Sequence, residues 1–380
     1  MNRLVYLYVS NGSSGPDNIP KWSPELLSVD SYTRLFPDEG FCYLFHKFLE
    51  RGLFDEILVV IESSRSPGYF QISANSKIMG LVVPHISELK RFMFSNDILW
   101  VRGGWRGWWE FLEKWHNLGR WLLFYRAASN RGAWKFWDIV LDDLINECSQ
   151  DGIGRFYYPI NKPINPNIFF PSPAKISYDL MIGASHIHDK KGQFKILPIL
   201  MEYRKQFGTD LRCVMPGSIK HGVGTSNIIT LTNRFNLDIN LPGMVERHHL
   251  KTLLSMSSLF VHLGGAGQND RGPLEAMSCG TPVMLSQEKY HAPCIHSVRT
   301  PFSFHVNADE PALAARQINY ALKMTCDEFR TGTYDYYQSV NGVDNIIYPQ
   351  FATLFEDILQ TPHEKRQNLF NKLLPRKEEK

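Results

Sequence analysis

SSLFVHLGGAGQNDRGPLEAMSCGTPVML, residues Ser257 to Leu285, is the stretch from which the rest of the chain is read. Ser258 to His262 is a short apolar run rich in strand formers. Leu263 to Gly272 is a loop, and Gly264, Gly265, Gly267 and Gly272 allow sharp turns and close backbone approach. Pro273 suits the first position of a helix, where its missing N–H would be unpaired anyway. Gly280 suits the stop, and Thr281 to Leu285 is the next buried strand. A loop that delivers free backbone N–H groups to a helix N-terminus is a ready anion site. On this reading Glu275 falls in the first helical turn, where the helix dipole favours any carboxylate.

Upstream, strands and helices alternate. Tyr178 to Gly183 reads as a strand, Gln193 to Gln206 as a helix, Asp210 to Met215 as a strand, and Ile239 to Val245 as a strand and turn before a helix from Glu246 to Met256. Downstream, Phe302 to Val306 is a strand and Asp309-Glu310-Pro311 starts a helix that runs to about Met324. Such alternation makes a parallel α/β sheet. Before it lies YPINKPINPNIFFPSP, Tyr158 to Pro173, whose prolines forbid a helix or a central strand and mark a linker.

The first half repeats the alternation. Leu4 to Val9 and Ile57 to Ile61 are strands on either side of a helix whose face carries Phe41, Leu44, Phe45, Phe48 and Leu49. Lys77 to Val83, Ile98 to Val101, Trp121 to Tyr125 and Ile139 to Leu141 read as further strands, the last pair closing the domain. Trp100 to Trp137 holds eight of the nine tryptophans, with Arg102, Arg106, Arg120, Arg126 and Arg131 among them. Trp with Arg suits stacking on sugars, a peripheral membrane contact or a protein interface. Core packing accounts for most such rings, and Trp105 and Trp108 are the candidates for lining an acceptor site.

The 380 residues are too many for one ordinary core and suit two domains. A net charge of +3 gives no reason to expect a nucleic-acid partner. Six cysteines without CxxC spacing argue for reduced thiols in a cytoplasmic setting. The N-terminal apolar run breaks too early for a signal peptide, and no apolar stretch is long enough to span a bilayer.

Taken together, LEAMSCGTPVM behind a glycine-rich loop and a strand resembles the nucleotide-sugar-binding motif of retaining GT-B glycosyltransferases, the large family 4 above all. The resemblance implies an α/β GT-B fold, two Rossmann-like parallel domains facing a central cleft. It places an acceptor-side domain at 1–165, a nucleotide-sugar domain at 166–344, and a segment from 345 to 380 that crosses back to the first domain as the amphipathic helix NIIYPQFATLFEDILQ before a solvated tail from Arg366.

The resemblance also implies roles. Family members carry two glutamates eight positions apart, one on the transferred sugar and one on the ribose. Glu275 matches the second, and Gly267 stands at the first, a departure. Asp270 is the candidate replacement, and the amides at Asn269, Asp270 and Arg271 fall where the family contacts sugar and diphosphate. In GASHIHDKKG, Gly183 to Gly192, Lys191 matches a lysine that grips the diphosphate, while Ser185 or His186 occupies the place of an arginine. Gly217 and Val245 match the backbone beside the base, Gly12 a loop that closes over the donor, and Arg102 a position at the transferred sugar that is often histidine.

The activity implied is glycosyl transfer from a nucleotide-diphosphate sugar to a hydroxyl of a glycan or lipid-linked acceptor, with retention. It needs no cofactor and no metal, because Lys191 and aimed amides stabilise the leaving charge. His186-x-His188-Asp189 could ligate a metal, but no second ligand cluster is evident. The implied setting is the cytoplasm or the cytoplasmic face of a membrane. The competing readings are a GT-B shell without catalysis, acting as scaffold or sugar-nucleotide sensor, and a GT-B epimerase or phosphorylase. The phosphorylase would hold pyridoxal phosphate, for which the sequence carries no signal.

Overall fold

The computed structural model describes residues 1–9, 34–63, 67–102, 108–126, 136–143, 145, 147–183, 186–187, 192–219, 227–264, 271–286 and 301–375. The chain divides into two compact units, Met1–Pro163 with Ile347–Lys380, and Ile164–Ile346.

In unit 1 the chain runs β1 (Arg3–Val9), α1 (Gly40–Glu50), β2 (Glu56–Glu62), β3 (Gly68–Gln71), β4 (Ile78–Val83), β5 (Ile98–Arg102), α2 (Trp109–Asn117), β6 (Leu122–Arg126), β7 (Ile139–Asp142), β8 (Ser149–Gln150) and β9 (Phe156–Pro159). Among the described residues these strands form one sheet in the order β3-β4-β2-β1-β5-β6-β7-β9-β8. All neighbours pair in parallel except the edge strands β3 and β8. Taken by their sequence, the parallel strands from β4 to β7 stand third, second, first, fourth, fifth and sixth. That is the doubly wound order, with its switch point between β1 and β5.

Both faces of this sheet are covered, so its strands are apolar throughout. Val5, Leu7, Leu99 and Val101 pack with Trp108, Leu112 and Trp115 on one side. Tyr6 and Trp100, one residue out of phase, meet Phe41 and Phe45 of α1 on the other. Tyr158 and Pro159 are not linker: they end β9, and Ile160 donates its N–H to the Asp142 carbonyl at 3.0 Å. The unit therefore has one parallel strand more than the alternation of apolar runs implied.

Unit 2 runs β10 (Tyr178–Ile182), β11 (His186–Ile187), α3 (Ile196–Phe207), β12 (Cys213–Val214), β13 (Ser218–Ile219), α4 (Ile228–Arg234), β14 (Ile239–Asn240), α5 (Arg247–Ser255), β15 (Ser257–His262), α6 (Arg271–Ser278), β16 (Val283–Ser286), β17 (Ser303–Val306), α7 (Pro311–Met324) and α8 (Asp327–Asn341). Its main sheet has the order β14-β12-β10-β15-β16-β17, all parallel, which is again third, second, first, fourth, fifth, sixth. Here the switch point lies between β10 and β15. Arg330 of α8 donates to the carbonyl oxygens of Ser257 and Ser255 and to the Thr281 hydroxyl, fastening the helix to the ends of β15 and α6.

The chain then returns to unit 1 as α9 (Tyr348–Gln360) and α10 (Arg366–Leu373). Phe351 and Phe355 of α9 lie against Phe48 and Trp100. The segment from Arg366 is not a solvated tail as far as Leu373. Leu369 and Phe370 are buried, and the Phe370 ring stacks on Phe156 with centroids 4.9 Å apart. No helix of the described residues is long and apolar enough to cross a membrane.

Candidate active site

The C-terminal edge of the unit 2 sheet gathers the loops that the sequence singled out. β10 ends in Gly183 and β15 runs through His262 into Leu263 and Gly264. These two strands flank the switch point, where an open α/β sheet leaves a crevice for ligands. Gly183 is a packing glycine: a Cβ there would overlap the ring of Phe260, which also lies 3.0 Å from the place of a Cβ on Gly272. The Phe260 ring is thus wedged between the end of β10 and the start of α6. Gly183→Ala is expected to destabilise unit 2 by about 1–3 kcal/mol, since a core this tight has no room for one more carbon. A urea titration reads the loss, and Phe260→Leu in the same chain should restore part of it. A Gly183→Ala variant as stable as the parent would show that Phe260 does not occupy that place.

The loop after β10 closes back on the loop after β15. Gly192, in the left-handed region with φ 68°, has the Leu263 carbonyl oxygen 2.5 Å from where a side chain would begin. Any side chain would push the two loops apart. The chain that ends in Gly192 is GASHIHDKKG, and the one that begins at Leu263 is LGGAGQND. Two further loops join them. His186 and Ile187 pair with Ser218 and Ile219, and Gly217 donates its N–H to the Gly243 carbonyl at 2.7 Å. The turns before Ser218 and before Val245, read in the sequence as the base-side backbone, are therefore bonded to one another.

Glu275 stands on α6. The helix begins at Arg271, two residues before Pro273, so Glu275 lies in its second turn and the first turn holds no acidic residue. Its carboxylate is beyond the turn where a helix dipole favours an anion, which corrects the first-turn placement. It is also buried, with Arg247 Nη1 3.3 Å from Oε1. Arg247 opens α5, where a cation is disfavoured by the same dipole. Its reward is the charged partner across the helix pair. Sequence reading did not single out Arg247. The one signal it offered was a positive charge at a helix start. α6 ends in a Schellman turn, Gly280 N–H to the Met277 carbonyl and Thr281 N–H to the Ala276 carbonyl, both at 2.9 Å. Burial, and then the Glu275 carboxylate, push the neighbouring Cys279 thiol up to about 12, so it stays protonated.

Of the other candidates, Arg271 is exposed at the first position of α6, and Val245 packs beside the core cluster of α5 and α6. The backbone of His186 is in β11. Gly12, Trp105, Ser185, Lys191, Gly267, Asn269 and Asp270 lie outside the described residues.

In unit 1, Arg102 ends β5 at the switch point. Its Nη1 lies 2.7 Å from Oε2 of buried Glu39, and its guanidinium sits over the Tyr8 ring at 5.0 Å. Tyr8 donates its hydroxyl to the other Glu39 oxygen at 2.8 Å. Trp108 does not line a site. It is wholly buried in the core of unit 1, its Nε1 donating to Glu62 at 2.9 Å, so neither ring face is open to an acceptor. Trp100, Trp115, Trp121 and Trp137 are buried as well.

The arrangement matches solved structures along nearly its whole length. A UDP-forming trehalose-phosphate synthase from Burkholderia xenovorans aligns with a TM-score of 0.62 at 12% identity, over 95% of this chain and 99% of that one. A sucrose-phosphate synthase from Thermosynechococcus elongatus gives 0.60 at 12%, over 94% and 98%. A glycosyltransferase from Rickettsia africae gives 0.60 at 13%, over 94% and 99%.

The fold is GT-B.

At these identities the likeness carries the architecture and nothing finer. No protein-family model and no curated protein matches the sequence.

Proposed function

We propose that this GT-B chain is a glycosyltransferase that moves a sugar from a nucleotide-diphosphate sugar to a hydroxyl acceptor with retention, binding its donor at the C-terminal edge of unit 2. The observation that carries the reading is Glu275. It is a buried carboxylate paired with Arg247, on the helix that follows β15, one of the two strands flanking the switch point. A buried charge is costly unless it is paired, and a ribose diol is a partner that a carboxylate can hold by two hydrogen bonds. UDP is the first nucleotide to try, since the similar Burkholderia xenovorans synthase is described as UDP-forming.

In this reading Glu275 orients the ribose, and the base lies against the turns at Gly217 and Val245. Lys191 and the amides from Asn269 to Arg271 carry the negative charge that grows on the diphosphate as the glycosidic bond breaks. Asp270 holds the sugar hydroxyls in place of the glutamate that Gly267 lacks. No metal is required at the diphosphate. The acceptor is a glycan, a lipid-linked sugar or a sugar phosphate, and the five cysteines among the described residues, all unpaired, fit a reducing, cytoplasmic setting.

The test is calorimetric titration with UDP, GDP and ADP. One nucleotide is expected to bind, and Glu275→Gln to weaken it about 10- to 150-fold, the worth of a hydrogen bond to a charged group. Arg247→Ala should produce a smaller loss by letting the carboxylate swing. Absence of binding by every nucleotide, or an affinity indifferent to Glu275→Gln, would sink the donor site. The competing scaffold reading rests on Gly267 standing where the family has a glutamate. It predicts binding without release of free nucleoside diphosphate from the sugar donor, and without an effect of Lys191→Ala on such release.

A further inference from the structure

At the edge of the unit 1 sheet opposite its own switch-point crevice, three side chains meet. Asp138 lies just before β7, His116 is in the last turn of α2, and His363 lies between α9 and α10. Asp138 Oδ1 is 3.0 Å from His363 Nε2 and 3.4 Å from His116 Nδ1, and the three ligand atoms lie within 4.8 Å of one another. From these atoms we infer that the cluster is a divalent transition-metal site, a His2Asp set suited to zinc.

The spacing fits. Ligands bonded to one tetrahedral zinc at about 2.0–2.1 Å stand roughly 3.4 Å apart. His116 Nδ1 is buried and makes no hydrogen bond: it is close to the carboxylate but not aligned with it. The donors are two imidazoles and a carboxylate, a borderline set that favours zinc over calcium or magnesium. The carboxylate is already oriented, because its other oxygen, Oδ2, accepts the Leu122 N–H at 2.8 Å. Such outer-shell bonds fix a ligand's direction. The Trp121 ring meets His363 edge-on at 5.4 Å and Phe136 lies 5.8 Å from His116, giving the site apolar walls.

Among the described residues, Arg366 brings a cation to the cluster: its Nε is 3.7 Å from Oδ1, on a half-exposed side chain that can turn to solvent. The cluster sits at the N-terminal edge of its sheet, where strands begin, whereas ligand crevices open at the other edge. A metal there is therefore structural: it ties the returning end of the chain to α2 and β7.

The probe is Co2+ alone, added to the full chain after chelator treatment and dialysis. One equivalent is expected to bind with the visible absorption of four-coordinate cobalt, to be displaced by Zn2+, and to raise the melting temperature. His116→Gln and His363→Gln should each weaken binding by more than about a hundredfold, beyond the loss of an outer-shell partner. His116 is part-exposed, so its variant keeps the test alive if His363→Gln loosens the chain end; circular dichroism confirms that it is folded. No visible band with the parent, or a band and stoichiometry unchanged in folded His116→Gln, overturns the site.

Discussion

Phe351→Ala is expected to destabilise unit 1 by about 3–5 kcal/mol, the usual cost of removing a buried aromatic ring from a core. Phe351 is wholly buried on α9, and its ring stacks on Trp100 with centroids 5.3 Å apart. Phe48 of α1 and Phe355 of α9 complete the cluster. Trp100 is on β5, beside the central strand β1, so a cavity at this point opens onto the middle of the sheet. A urea titration followed by tryptophan fluorescence, which reads unit 1 because all nine tryptophans lie in its sequence, should show the midpoint moving, while the part of the circular-dichroism change that belongs to unit 2 stays in place. Phe351→Leu, which keeps most of the volume, should lose less than half as much. A loss below about 1 kcal/mol for the alanine variant, the level of a surface change, would mean that α9 is only loosely applied to the sheet.

The second large effect is expected at Arg102. Removing one member of a buried ion pair strands the other charge, at a cost of about 3–5 kcal/mol. Arg102 is itself about one-quarter exposed, with a side-chain exposure of 26%, whereas that of Glu39 is 7%. The lower end, about 3 kcal/mol, is therefore expected for Arg102→Met. The sign with pH distinguishes the cause. In the variant, Glu39 stays buried and loses the Arg102 charge, and burial raises a carboxyl's pKa above its unfolded value. A group raised in the folded state leaves stability intact below its unfolded pKa and drains it as pH rises through the folded one. The deficit of Arg102→Met should thus be smallest in acid and grow toward neutral pH. Glu39→Gln together with Arg102→Met should recover most of it. A deficit that does not vary with pH would show that Arg102 acts through packing on Tyr8 and not through charge.

The layout of the fold could be read in the sequence because both sheets are buried on two faces. Their strands are short unbroken apolar runs such as ILVVI in β2, and the helices between them keep a 3.6-residue period. The helix α9 was legible for the same reason, with Phe351, Leu354, Phe355 and Ile358 on one face. Less visible was α10, whose buried Leu369 and Phe370 are two residues in a polar segment, too few to set a period. β9 was hidden by its own composition, since Tyr158 and Pro159 read as the opening of a proline-rich linker. At the site, the glycine loops and Glu275 stood out by pattern, but Arg247 did not. Its contact with Glu275 spans 28 residues and depends on how two helices pack, which no local spacing encodes. The His116–Asp138–His363 cluster was out of reach in the same way, since His363 comes 225 residues after Asp138.

Unit 1 is interrupted in sequence: its last piece, from Ile347, comes after the whole of unit 2. During synthesis from the N-terminus, the ribosome therefore finishes unit 2 while unit 1 still waits for α9 and α10. Through that interval Phe48, Trp100 and Phe156 have no cover from Phe351, Phe355 and Phe370. At about 5–20 residues per second, making the intervening 183 residues takes on the order of ten to forty seconds. The nascent chain must keep an aromatic surface from sticking for that long. Yield in a cell should accordingly depend more on chaperone supply and on the speed of translation than the stability of the finished protein would imply.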